Sequence, residues 1–190
     1  MYQFTKETIV QDTLDMGFTH AGLADAKTLK ARDEVRDMCA VDKCHAYGKN
    51  WSCPPGCGTV EECQAEMASY EWGILVQTTM NMDDDFDMET WGEASRRHRE
   101  LSVELNDELH KHYNNVLALG GAGCHLCAEC TYPDSPCRFP NKRMSGMEGY
   151  GLLISDVCKD NNIDYYYGKG TITYTGMFLL KDPKQSGTEN

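Results

Sequence analysis

The sequence predicts an α/β or α+β domain in which a central mixed sheet is flanked by helices and carries an embedded cysteine-rich, cluster-binding lobe. Three observations lead there. Segments with a helical apolar period alternate with short apolar and β-branched runs along the chain. At 190 residues the chain can bury one core of ordinary size. Two stretches, 39–58 and 120–143, concentrate Cys, Gly and Pro, cannot bury a regular element, and read as loops ordered by what they bind. The expected organisation is a single domain over 1–180 followed by a flexible tail, 181–190.

Taken in order, Phe4 to Gly17 sets Ile9, Leu14 and Met16 among polar residues and ends at a glycine, as a short amphipathic helix does. Phe18 to Ala24 reads as a strand, and Asp25 is placed to cap a helix reaching about Met38. After the first cysteine loop, Thr59-Val60-Glu61-Glu62 is a capping-box pattern, with Val60, Cys63, Met67 and Tyr70 following at helical spacing. Trp72 to Thr79 is apolar and β-branched, so it reads as a central strand. The acidic run Asp83 to Asp87 lacks the glycine and distal glutamate of a calcium loop and reads as a solvated turn.

From Thr90, residues Trp91, Ala94, His98, Leu101, Leu105 and Leu109 form one stripe of a long helix, which makes His98, His110 and His112 stripe or surface residues and not ligands. Val116 to Leu119 is the next strand. It leads into Gly120-Gly121-Ala122-Gly123, which lacks the Gly-Lys-Ser/Thr of a phosphate loop but offers bare backbone beside the cysteines that follow. Ser145-Gly146-Met147-Glu148 caps a helix to about Asn161, and Ile163–Tyr167 with Thr171–Leu180 reads as a hairpin across Gly168-Lys169-Gly170.

The chemistry lies in the thiols. Cys124, Cys127, Cys130 and Cys137 form a C-x2-C-x2-C-x6-C array followed by Arg138-Phe139-Pro140. A cubane iron–sulfur cluster presents iron corners a few ångströms apart, so a tight loop giving one thiolate every third residue grips three of them while a fourth arrives from further along. Pro133 and Pro136 around Asp134-Ser135 mark a turn that brings Cys137 back. Structural zinc favours two separated hooks and is the alternative metal; disulfides are the third reading. Cys39, Cys44, Cys53 and Cys57 make a second, irregular group, C-x4-C-x8-C-x3-C, suited to a second cluster, a zinc knot or added ligands for the first. Cys63 is the reserve for Cys57, and Cys63 and Cys158 otherwise fall on apolar helical stripes as core thiols.

Composition excludes some classes. A net charge of −12 opposes binding to nucleic acid. No apolar run approaches the length of a membrane span, and the N-terminus lacks a basic leader, so a cytoplasmic protein is expected. In that reducing compartment ten cysteines point to metal before disulfides.

The motif Tyr-Gly-Lys-Asn-Trp-x-Cys-Pro-Pro at 47–55, the array from Cys124 to Pro140, and Met147-Glu148-x-x-Gly151 with Tyr165 to Leu180 resemble a bacterial and archaeal family of predicted metal-binding proteins, a domain of unknown function. The resemblance implies metal or cluster binding at Cys39, Cys44 and Cys53 together with Cys124, Cys127, Cys130 and Cys137. The opening helix, Gly17-Phe18 and His20 to Ala24 are also similar to epoxyqueuosine reductases and reductive dehalogenases, which implies a corrinoid alternative. The functional expectation is electron transfer through one or two [4Fe-4S] clusters to a redox partner protein or small-molecule substrate. The alternatives are a cluster-dependent reductase of a small molecule or corrinoid, and a zinc-stabilised interaction module.

Overall fold

The computed structural model of the chain describes residues 2–120 and 124–184. Strands β1 (His20–Asp25), β2 (Trp72–Asn81), β3 (Tyr113–Leu119) and β4 (Thr171–Pro183) form one sheet in the order β1-β2-β4-β3. Its helices are α1 (Ile9–Met16), α2 (Asp33–Ala40), α3 (Val60–Ala68), α4 (Met88–His112) and α5 (Ile154–Asp160). The α/β class holds, but the sheet is antiparallel where a mixed one was expected: β1 pairs with β2, and β4 pairs with both β2 and β3, all antiparallel. The reason is a split β-α-β unit. β2 and β3, joined through α4, run the same way, and the last strand fills the slot between them in the opposite direction.

Both faces of the sheet are covered, which is why β2 reads as a continuous apolar run. On one face Ile74, Val76, Phe178 and Leu180 pack with Phe4 and Ile9 and with Leu101, Leu105 and Leu109 of α4. On the other, Leu75, Leu119, Met177 and Leu179 pack with Cys63 and Met67 of α3 and Val157 of α5. Each fully buried aliphatic side chain contributes about 1.5–3 kcal/mol. The second face carries the first cysteine loop.

The α4 stripe is buried as its spacing predicts, apart from Trp91, which stays 40% exposed. His98 lies on that stripe, fully buried, its Nδ1 3.0 Å from Thr78 Oγ1, and burial lowers its pKa to about 4. Asp87 caps α4 by accepting from the Thr90 amide at 3.0 Å, so the acidic run ends as a helix cap.

Three local expectations are corrected by tertiary contacts. Asp25 caps only a short 3-10 turn, Ala26–Thr28, and α2 begins afresh at Asp33. Between them the Ala31 amide donates to Gln64 Oε1 at 2.8 Å and the Arg32 amide to Gly151 O at 2.9 Å, so neither is available to a helix. The helix expected from Ser145 to Asn161 is likewise divided into a 3-10 turn, Glu148–Tyr150, and α5. Gly151 divides it: at φ +74 it is left-handed, and a Cβ there would lie 2.8 Å from Arg32 N. Residues 163–167 form no strand; β4 pairs with β2 and β3 instead, and Tyr167 crosses to donate its hydroxyl to Gln77 Oε1 at 2.6 Å. β4 also runs to Pro183, three residues into the expected tail, of which 185–190 lie outside the described residues. Among the described residues no helix is long and apolar enough to cross a membrane.

Candidate metal centre

The second cysteine loop leaves the sheet at the end of β3 and returns beside it. Ser145 bridges Leu119 in parallel, and its amide donates to Ala118 O at 3.1 Å, so both ends of the excursion are pinned to one point of the scaffold. Gly121, Ala122 and Gly123, the bare backbone noted in the sequence, lie outside the described residues. Cys124, Cys127, Cys130 and Cys137 line one hollow of about 30 Å³. The six-residue gap before Cys137 closes on itself: the Ser135 amide donates to Thr131 O at 3.0 Å and Thr131 Oγ1 to Pro136 O at 2.9 Å. Arg138 Nη1 then donates to Glu129 O at 2.8 Å and straps the returning chain to the thiol-bearing segment.

The first cysteine loop forms the opposite wall. Asn50, Trp51 and Ser52 line the same hollow. Trp51 Nε1 donates to Ser135 O at 3.0 Å, its ring meets Tyr132 edge-on at 4.9 Å, and Arg143 Nη1 donates to Trp51 O at 3.1 Å. Gly56 is required here, since a Cβ would lie 2.4 Å from Asn50 O and 3.0 Å from the Tyr132 ring. Each loop also contains a cis proline, Pro55 and Pro133.

Within the first loop the thiols divide. Cys39 stands at the end of α2, and burial raises its pKa, with Glu148 and then Cys44 acting in the same direction against Arg36. Burial also raises Cys53, opposed by Asn50 and reinforced by Cys44 and Cys124. Cys39, Cys44 and Cys53 therefore share one electrostatic neighbourhood, and Cys53 borders the second array. Cys57 adjoins Cys53, its amide donating to Cys53 O at 3.1 Å, but its side chain is buried. It lies in the apolar layer with Cys63, its thiol donating to Gly149 O at 3.3 Å while the Cys63 thiol donates to Cys57 O at 3.5 Å. Arg36 Nη1 is 3.8 Å from the Cys57 sulfur and 3.7 Å from that of Cys63, and it also donates to Gly149 O at 2.7 Å. Hydrogen bonding with Cys63 and burial push the Cys57 thiol up, and the same bond, with Arg36, draws Cys63 down against its burial. Cys158 is a core thiol beside Gln77, pushed up to about 11 by burial.

Arg36 was missed in the sequence although it precedes Cys39 by three residues and so shares its helix face. Of the basic residues after the array, Arg138 and Arg143 bind backbone and line the hollow, whereas Lys142 pairs with Asp107 at 3.0 Å. Lys142 also lines a larger cavity of about 390 Å³, shared with Arg99, Val103, Met144 and Cys124, so Cys124 borders both spaces. All ten cysteines are outside disulfides. Among the described residues no three His, Cys, Asp or Glu side chains stand close enough together to hold a metal ion. The array's donor set, four cysteines lining one small hollow, is of the type a thiolate-bound group requires.

The family model for predicted metal-binding proteins designated DUF2284 matches residues 23–180. The chain belongs to this family. Both cysteine loops, and the turn that carries Glu148, fall inside the matched region. No curated protein and no solved structure matches the chain.

Proposed function

We propose that this member of the family binds one or two [4Fe-4S] clusters through its loop thiols and serves electron transfer in the cytoplasm, toward a redox partner protein or a small-molecule substrate. One observation carries the reading: Cys124, Cys127, Cys130 and Cys137, at a spacing suited to a cubane, line one hollow. A cluster bound there supplies single-electron exchange. The chain's own residues hold and insulate. Thr131 and Arg138 fix the return of Cys137, Trp51 covers the array from the other loop, and Arg138 and Arg143 set positive charge beside thiolates. Cys39, Cys44 and Cys53 provide the second group, with Cys57 as its fourth thiol by sequence.

A cluster-dependent reductase is the second reading, favoured by the cavity of about 390 Å³ that borders Cys124, a size suited to a small molecule. Anaerobic purification with iron, acid-labile sulfide and zinc analysis tests the whole reading. Brown protein with about four or about eight iron atoms per chain supports one or two cubanes. Colourless protein with stoichiometric zinc replaces the redox reading with a zinc-stabilised interaction module.

A further inference from the structure

We infer that the corner between β2 and α4, where Phe86, Met88 and Trp91 stand exposed among carboxylates, is a docking surface for a basic segment of a partner protein that carries apolar anchors. The docking surface is independent of which metal the thiols hold; that the partner exchanges electrons rests on the function proposed above.

Asp87 caps α4, so Phe86 and Trp91 occupy the two positions, one before the cap and four into the helix, that a hydrophobic staple joins. The staple is not closed. Phe86 is 86% exposed, Met88 69% and Trp91 40%. The Trp91 indole donates instead to Met82 Sδ at 2.9 Å. Nor is the turn slack. The Phe86 amide donates to Asp84 Oδ1 at 2.7 Å, the Met88 amide to Phe86 O at 2.7 Å and the Asp83 amide to Asp87 Oδ2 at 3.2 Å. Single exposed apolar side chains are ordinary on a protein surface, but three large ones within one braced turn and the first turn of a helix form a patch.

The charge around the patch has one sign. Asp83, Asp84, Asp85, Asp87, Glu89 and Glu93 surround it in the chain, and no Lys, Arg or His lies between Met82 and Ser95. None of these carboxylates forms an ion pair among the described residues. Lys169 is exposed and pairs with none of them, although its neighbour Gly170 accepts the Met82 amide at 2.8 Å. An apolar centre rimmed by negative charge is complementary to apolar anchors set between lysines or arginines: the anchors are desolvated and the charges steer the encounter. α4 also joins this corner to the thiols. From Arg99 to Glu104 the same helix walls the cavity that Cys124 borders, and Trp91 and Arg99 lie about 12 Å apart along its axis. A partner held at the corner therefore sits on the helix that leads to the second array.

The test uses the full chain, purified anaerobically, and a fluorescent synthetic peptide of leucines spaced among lysines, with fluorescence anisotropy as the readout and circular dichroism verifying that each variant is folded. Saturable binding that weakens with added salt is expected. Phe86→Ser/Met88→Ser, which leaves the net charge unchanged, should weaken it about tenfold, and Asp85→Asn/Glu89→Gln should weaken it comparably. Glu71→Gln/Asp160→Asn removes the same charge beside Trp72, at the opposite end of β2, and should bind as wild type does. No saturable binding, binding indifferent to Phe86→Ser/Met88→Ser, or equal weakening by Glu71→Gln/Asp160→Asn would overturn the inference. Self-association of the wild type that Phe86→Ser/Met88→Ser abolishes would also overturn it, by giving the patch to a second copy of the chain. Metal content is measured separately, so failure of the docking surface and failure of the metal reading remain distinct results.

Discussion

The two cysteine loops are ordered by different means. The 124–137 loop is closed by bonds among its own residues: Ser135 to Thr131, Thr131 to Pro136 and Arg138 to Glu129 all fall within ten positions. The 39–57 loop draws its thiols from the end of α2, an exposed turn and a proline-bounded segment, and is held by Arg36 from α2 and by the Glu148–Tyr150 turn from more than 90 residues away. Local closure lets spacing alone announce a site. Long-range closure hides the contacts that hold it.

This contrast is broken or sharpened most strongly by removing one thiol from each loop. Cys127→Ser is expected to abolish the second group's metal, about half of the total with two clusters, while the first group persists; Cys158→Ser should leave metal content unchanged. Loss of both groups from Cys127→Ser alone, measured as iron and sulfide per chain, would show that the loops form a single cooperative unit.

An intermediate effect is expected where the loops meet. Trp51→Ala removes the bond to Ser135 O and the edge contact with Tyr132, at a cost of about 2 kcal/mol. Chemical denaturation of the metal-free chain should register that loss as a lower midpoint with an unchanged slope. An unaltered midpoint would mean that the loops order independently of each other.

The smallest effect belongs to the scaffold. Thr59→Ala deletes the acceptor of the Glu62 amide in the capping box of α3, costing about 1 kcal/mol. Metal content should not change, because α3 carries Cys63 and no member of either proposed ligand set except the reserve. A drop in metal on this substitution would return Cys63 to the first group.

What the sequence disclosed follows the same division. The α3 capping box, the α4 stripe and the turn before Cys137 were legible because each is written within a few residues. The break between Ala26–Thr28 and α2 was not, since it depends on Gln64 and Gly151 accepting the amides of Ala31 and Arg32. The slot filled by β4 was equally hidden: alternation of helix and strand is the same whether the final strand joins an edge or enters between two others. The spacing of Arg36 to Cys39 is local, but its bond to Gly149 O was hidden, because it depends on packing between α2 and a turn far along the chain.

The insertion of β4 between β2 and β3 also orders events during synthesis. Both thiol-bearing loops precede residues 171–183, so a nascent chain exposes its cysteines before the strand that unites the sheet has left the ribosome.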